Sequence, residues 1–96
     1  MRFAVFFEDD PGKTEMRAAY MAAHLAFLEQ SADEILAAGP MTENGSAAGG
    51  LWLVEAADER AVRDLVETDP FWPTGLRKSL RIFAWRQVFA DGRRLP

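Results

Sequence analysis

A chain of 96 residues makes one domain, residues 1–96, with no room for a second core. Its 49% hydrophobic content argues for a globule and against disorder, and a net charge of −4 argues against a general nucleic-acid binder. The absence of cysteine excludes disulfides, thiolate metal sites and a cysteine nucleophile, and it suits a reducing cytoplasm, the expected location.

Residues 2–7 read as a strand rich in Phe and Val. Its apolar run is stopped by Glu8, Asp9 and Asp10. That is too short for a signal sequence or a membrane span, so no membrane association is expected. Asp9-Asp10-Pro11-Gly12 signals a turn. Thr14 is placed to cap a helix, with Glu15 favourable in its first turn, and the helix is expected to run to about residue 31. Met21, Leu25 and Leu28 repeat at helical spacing beside a second stripe of Tyr20, His24 and Phe27, so His24 falls on or next to the buried face.

Residues 32–38 read two ways. Ala, Glu and Leu favour helix by propensity, while the short apolar run before Gly39-Pro40 allows a strand. Residues 42–50, with Asn44-Gly45 and Gly49-Gly50, read as a flexible connection able to join antiparallel strands. Residues 51–56 form a strand. Asp58 is a good N-cap for a helix over 59–67 that buries Ala61, Val62, Leu65 and Val66, and Asp69-Pro70 ends that helix because the residue before proline avoids helical geometry. Residues 79–89 read as a last, long strand and residues 90–96 as a polar tail. The order strand, helix, strand, strand, helix, strand is the α+β, ferredoxin-like split β-α-β pattern, an antiparallel sheet with both helices on one face.

Both faces of these strands are apolar. Phe3, Val5 and Phe7 oppose Ala4 and Phe6; Trp52 and Val54 oppose Leu51 and Leu53; Leu80, Ile82 and Ala84 oppose Phe83 and Trp85. Two helices cover only one face, so a second copy of the same sheet is the economical cover for the other. The pattern predicts a symmetric homodimer through the sheet faces.

His24 is the only histidine and the one side chain whose ordinary pKa, about 6.5, suits proton transfer at neutral pH. Asp69 is the candidate carboxylate to orient it. Each also has a structural reading, His24 as a hydrogen-bonded core residue and Asp69 as a turn former. Arg17 and Tyr20 lie two turns and one turn before His24 and can face the same space. Phe71 and Trp72 can line an apolar cleft for a small-molecule ligand. One histidine rules out a multi-histidine metal site within a subunit. Haem can use a single histidine, but no supporting motif accompanies this one, and no cofactor or metal is expected. Nucleotide-cradling glycine motifs are missing. The basic run Arg77, Lys78, Arg81, Arg86, Arg93 and Arg94 reads as a solvated edge; the alternative is that one of these arginines faces a pocket and holds an anion.

An ordered set of pieces resembles the YCII-related family of small ferredoxin-like proteins. These are a Phe-rich first strand, an acidic turn with Pro11-Gly12, Arg17, His24-Leu25, Ala38-Gly39-Pro40, Gly49-Gly50, Asp69-Pro70-Phe71, Gly75-Leu76, and a last strand with Ile82 and Trp85. The resemblance implies a homodimer whose sheets pack face to face as a dimeric α/β barrel, and a site built on a histidine–aspartate pair, here His24 and Asp69. It implies a lyase or isomerase acting on a cyclic or carboxylated metabolite, since related proteins include dehydrochlorinases and muconolactone isomerases. The alternative is a non-catalytic homodimeric metabolite-binding or accessory module. The sequence departs from the family where Ser or Thr often follows the glycine that opens the third strand; Gly50 and Leu51 stand there instead.

Overall fold

The computed structural model describes residues 1–96. Strand β1 (Arg2–Asp9), helix α1 (Thr14–Gln30), strands β2 (Ile35–Glu43) and β3 (Ser46–Glu55), helix α2 (Glu59–Glu67) and strand β4 (Arg77–Ala84) follow in order. The antiparallel sheet is ordered β2-β3-β1-β4. This is the ferredoxin-like α+β fold. No helix is long and apolar enough to cross a membrane.

The inner face of the sheet holds the core. Phe3, Val5 and Phe7 of β1 and Trp52 and Val54 of β3 are at most 3% exposed, and they pack with Ile35 and with Val62 and Val66 of α2. Helix α2 is anchored as its sequence demands: the Asp58 carboxylate accepts from the Ala61 amide at 2.8 Å, satisfying an otherwise free N–H of the first turn. Leu51 and Leu53 on the outer face are half-buried, whereas Phe6 and Phe83 are exposed and meet edge to face at 5.8 Å.

Several expectations are corrected. Thr14 does not cap α1. The chain turns through a short 3-10 segment, Pro11–Lys13, and it is Asp10 whose side chain accepts from the Gly12 amide. Along α1 only His24 is fully buried, and Leu25 of the expected apolar stripe is 49% exposed. The connection over 42–50 is much tighter than expected. Asn44 and Gly45 alone make the turn, both at positive φ as a two-residue hairpin of the I′ kind requires, and the strands extend to meet them. Gly49-Gly50 therefore lies inside β3 rather than opening it. Gly49 has φ +144, and a Cβ there would sit 1.8 Å from the Phe7 carbonyl oxygen; glycine is what lets β1 and β3 approach.

The last long strand stops at Ala84 rather than reaching residue 89, and the tail is not featureless. Strands β5 (Phe89–Ala90) and β6 (Arg93–Arg94) pair as a short hairpin around Asp91-Gly92, again both at positive φ. The Asp-Gly signal for this turn stands in the sequence; a mostly polar composition masks it.

Candidate active site

Helix α1 carries His24 over the inner sheet face, and the segment after α2 carries Asp69 up to it. Asp69 holds its place by local geometry. Its Oδ1 accepts from the Phe71 amide two residues on, at 3.0 Å, and its carbonyl accepts from the Trp72 amide at 2.8 Å. This turns the carboxylate inward as an Asx-turn does. The chain then passes through a 3-10 segment, Trp72–Thr74, and Gly75 at φ +78, a left-handed position suited to glycine.

The two side chains meet. His24 Nδ1 lies 3.0 Å from both Asp69 oxygens, and the residues are 7% and 1% exposed. The imidazole stacks on the Phe71 ring at 4.3 Å. With the carboxylate accepting from Nδ1–H, a neutral imidazole presents the lone pair of Nε2. That nitrogen has no hydrogen bond within the chain and is not among the buried unpartnered atoms, so it opens onto the cleft that His24 lines.

That cleft has about 100 Å³ of free volume. It lies between α1, which contributes Arg17, Met21 and Leu28, and the inner face of the sheet around Pro40, Gly50 and Trp52. It is smaller than the roughly 300–1,000 Å³ typical of sites for drug-sized ligands, and it suits a ligand of about one ring.

Arg77 is the residue the expected basic edge misplaces. Period-two alternation from Ile82 and Leu80 puts Lys78 inward and Arg77 outward. The β1–β4 register shifts between Glu8 and Asp9, pairing Glu8 with Ser79 but Asp9 with Arg77. This bulge reverses the alternation. Lys78 stays outside, 3.6 Å from Glu8, while the Arg77 side chain is 4% exposed at the base of the cleft. Its guanidinium lies 3.9 Å above the Phe7 ring, between Trp52 and Phe71 at 5.2 and 5.3 Å. Its Nη1 is 2.8 Å from Asp69 Oδ2. This is an ion pair by distance, but it lies off the N–H direction, so Nη1 and Nε have no aligned acceptor.

Asp9, across the register from Arg77, binds Arg17 at 2.6 Å (Nη2) and 3.2 Å (Nε), and its other oxygen is buried without a donor. Burial works against the Asp69 carboxylate, but the hydrogen bonds from His24 and the Phe71 amide, with the charges of Arg77 and His24, outweigh it and hold its pKa below the ordinary value. Burial likewise lowers the pKa of Arg77 against the opposing pull of Asp69; a guanidinium starts so high that it stays charged.

The six site residues of the sequence reading divide. His24, Asp69 and Phe71 come together, and Arg17 joins them at the cleft wall, its Cζ 5.5 Å from the Phe71 ring. Tyr20 is 42% exposed and does not line the cleft. Trp72 packs against the hydrophobic core instead. Phe71, expected to line the cleft, instead lies behind it, stacked on His24; Trp52 lines the cleft and Asp9 braces Arg17 without having been singled out, and Arg77 is the one member of the basic run that faces the cleft beside His24. No three His, Cys, Asp or Glu side chains come together as a set of metal ligands.

The sequence pattern of the YCII-related domain matches residues 1–86. No curated protein matches the chain. Among solved structures, the chain is similar to 5-chloro-2-hydroxyhydroquinone dehydrochlorinase from Burkholderia phenoliruptrix AC1100 in complex with 2,5-dihydroxybenzoquinone. The TM-score is 0.78 and the identity 32%, covering 90% of this chain and 94% of that one.

Proposed function

The chain belongs to the YCII-related domain family, and from that premise we propose that it is a small-molecule lyase or isomerase working by proton transfer at His24. The observation that carries this reading is the buried His24–Asp69 contact at 3.0 Å, with the other imidazole nitrogen facing a cleft sized for one ring. His24 Nε2 takes a proton from a C–H or O–H of the substrate. The electron pair released moves into the ring, and in an elimination the bond to the leaving group breaks with its electrons. In an isomerisation the imidazolium returns the proton to a different carbon. Asp69 fixes the tautomer and stabilises the imidazolium. Similarity to a dehydrochlorinase supports elimination from a small ring compound.

The competing reading, a non-catalytic binding module, calls for a filled cleft and a histidine bonded only to backbone. Here His24 is bonded to a carboxylate, and neither Trp72 nor Phe27 lines the cleft. Homodimerisation through the outer sheet face is part of the proposal. It is supported by the exposure of Phe6, Phe83 and Trp85 at 38%, 41% and 40%.

The test is turnover of 5-chloro-2-hydroxyhydroquinone followed by chloride release, in the wild type and in His24→Asn. A loss of about a hundredfold to ten-thousandfold is expected for the variant. An unchanged rate rules out His24 as the proton carrier.

A further inference from the structure

We propose that Arg77 is the anion-binding residue of this cleft, and that its ligand is a small planar molecule bearing an ionised oxygen: an enolate, a phenolate or a carboxylate. The inference deepens the proposed lyase or isomerase reading and rests on it for the site, but it assigns a substrate class and a residue that the reading leaves open.

The fold takes unusual steps to bring this arginine inside. A bulge between Glu8 and Asp9 reverses the alternation of β4 and turns Arg77 into the cleft instead of Lys78. Once there, its side chain is 4% exposed, and three aromatic rings within 5.3 Å fix the plane of the guanidinium. A guanidinium this buried normally has its donors satisfied. Here Nε and Nη1 have no aligned acceptor. Nη2 has none within the chain either and is not among the buried unpartnered atoms, so it faces the cleft. Arg77 Nη1 serves as the counter-ion of Asp69 at 2.8 Å, which leaves Nη2 as the cleft-facing donor without a partner in the chain.

The charge balance points the same way. Arg17 and Arg77 are offset by Asp9 and Asp69, and the base form of His24 adds no charge of its own. When His24 takes a proton from a neutral substrate, the cluster gains one positive charge and the substrate one negative charge. Arg77 sits beside His24 through their common partner Asp69, placed to receive the oxygen on which that negative charge settles. A planar guanidinium matches planar oxyanions, and in a cleft walled by Trp52 the attraction is less screened than in water.

The experiment is calorimetric titration of the wild type, Arg77→Met, Arg77→Lys and His24→Asn with two ring probes. One is 2,5-dihydroxybenzoquinone, a vinylogous acid ionised at neutral pH. The other is hydroquinone, which is neutral there. The wild type is expected to bind the anion at least about tenfold more tightly than the neutral ring, in line with charge-assisted hydrogen bonds. Arg77→Met should weaken the anion about tenfold to a hundredfold while leaving hydroquinone unchanged, and Arg77→Lys should recover part of the preference. A merely structural arginine would weaken both probes alike. Should Arg77→Met fail to fold, the wild-type ratio and Arg77→Lys decide.

Equal affinity for the two probes, no saturable binding of the anion, or a preference that survives in Arg77→Met overturns the inference. Its failure is separable from that of the lyase or isomerase reading. Binding that ignores Arg77 alongside turnover that needs His24 defeats only the anion assignment. Binding that needs Arg77 alongside turnover indifferent to His24 defeats only the proton-transfer role.

Discussion

Replacing Asp69 by Asn keeps the outline of the side chain and removes its charge, and the surroundings of that carboxylate set the cost. Asp69 is 1% exposed, and around it converge His24 Nδ1 at 3.0 Å, the Phe71 amide at 3.0 Å and Arg77 Nη1 at 2.8 Å. An asparagine oxygen still accepts from the Phe71 amide. It does not neutralise Arg77, whose side chain is 4% exposed. Removing one partner of a buried pair costs about 3–5 kcal/mol, and the retained hydrogen bond places Asp69→Asn near the lower end.

For a domain of this size, each kcal/mol moves Tm by about 4–8 °C, so a drop of at least about 12 °C is expected at pH 7. The sign of the pH dependence comes from the lowered pKa of Asp69. Its stabilisation is present above the ordinary value of 3.8 and is lost as pH falls through the lower folded value. The gap between wild type and Asp69→Asn should therefore close on acidification below about pH 4. Thermal and urea denaturation across pH 3–7 measures it. Adding Arg77→Met to Asp69→Asn removes the orphaned cation and should restore stability, a coupling visible in a double-mutant cycle. A Tm drop below about 4 °C at pH 7, or a gap that does not shrink with acid, refutes the argument that Asp69 holds a buried charge pair.

Gly49→Ala should cost about 3 kcal/mol or prevent folding, because its Cβ meets the Phe7 carbonyl at 1.8 Å with φ at +144. Gly50→Ala, one residue on, meets nothing closer than 3.5 Å and should change stability by less than about 1 kcal/mol; equal urea midpoints for the two variants would contradict the backbone-approach argument. Phe83→Glu puts a charge into the proposed sheet-to-sheet contact, and light scattering should show a dimer becoming a monomer. A wild type that is monomeric at micromolar concentration removes the dimer proposal altogether.

Local signals carried most of the fold. Alternating Phe and Val placed β1, Asp58 placed the start of α2, Asp69-Pro70 placed its end, and element order alone implied the split β-α-β sheet. Each of these is a short-range preference, readable over a few residues. The candidate pair was legible in part, because a lone histidine leaves few alternatives for proton transfer. Asp69 stood as its candidate partner, and the resemblance to a known family strengthened the pairing.

Tertiary structure decided the rest. That His24 and Asp69 lie 3.0 Å apart depends on how α1 seats over the sheet, across 45 residues of sequence. Helical spacing put Tyr20 beside His24, but its side chain stands 42% exposed, outside the cleft. Above all, the sequence left open whether any arginine of the basic run faces a pocket, and which one. Strand alternation assigns Arg77 outward and Lys78 inward, and only the bulge opposite Glu8 and Asp9 turns Arg77 inward. A bulge arises from the match between two strands about seventy residues apart, Asp9 with Arg77. No periodicity within either strand encodes it, so the residue expected to read the substrate's charge could be found only once the sheet was assembled.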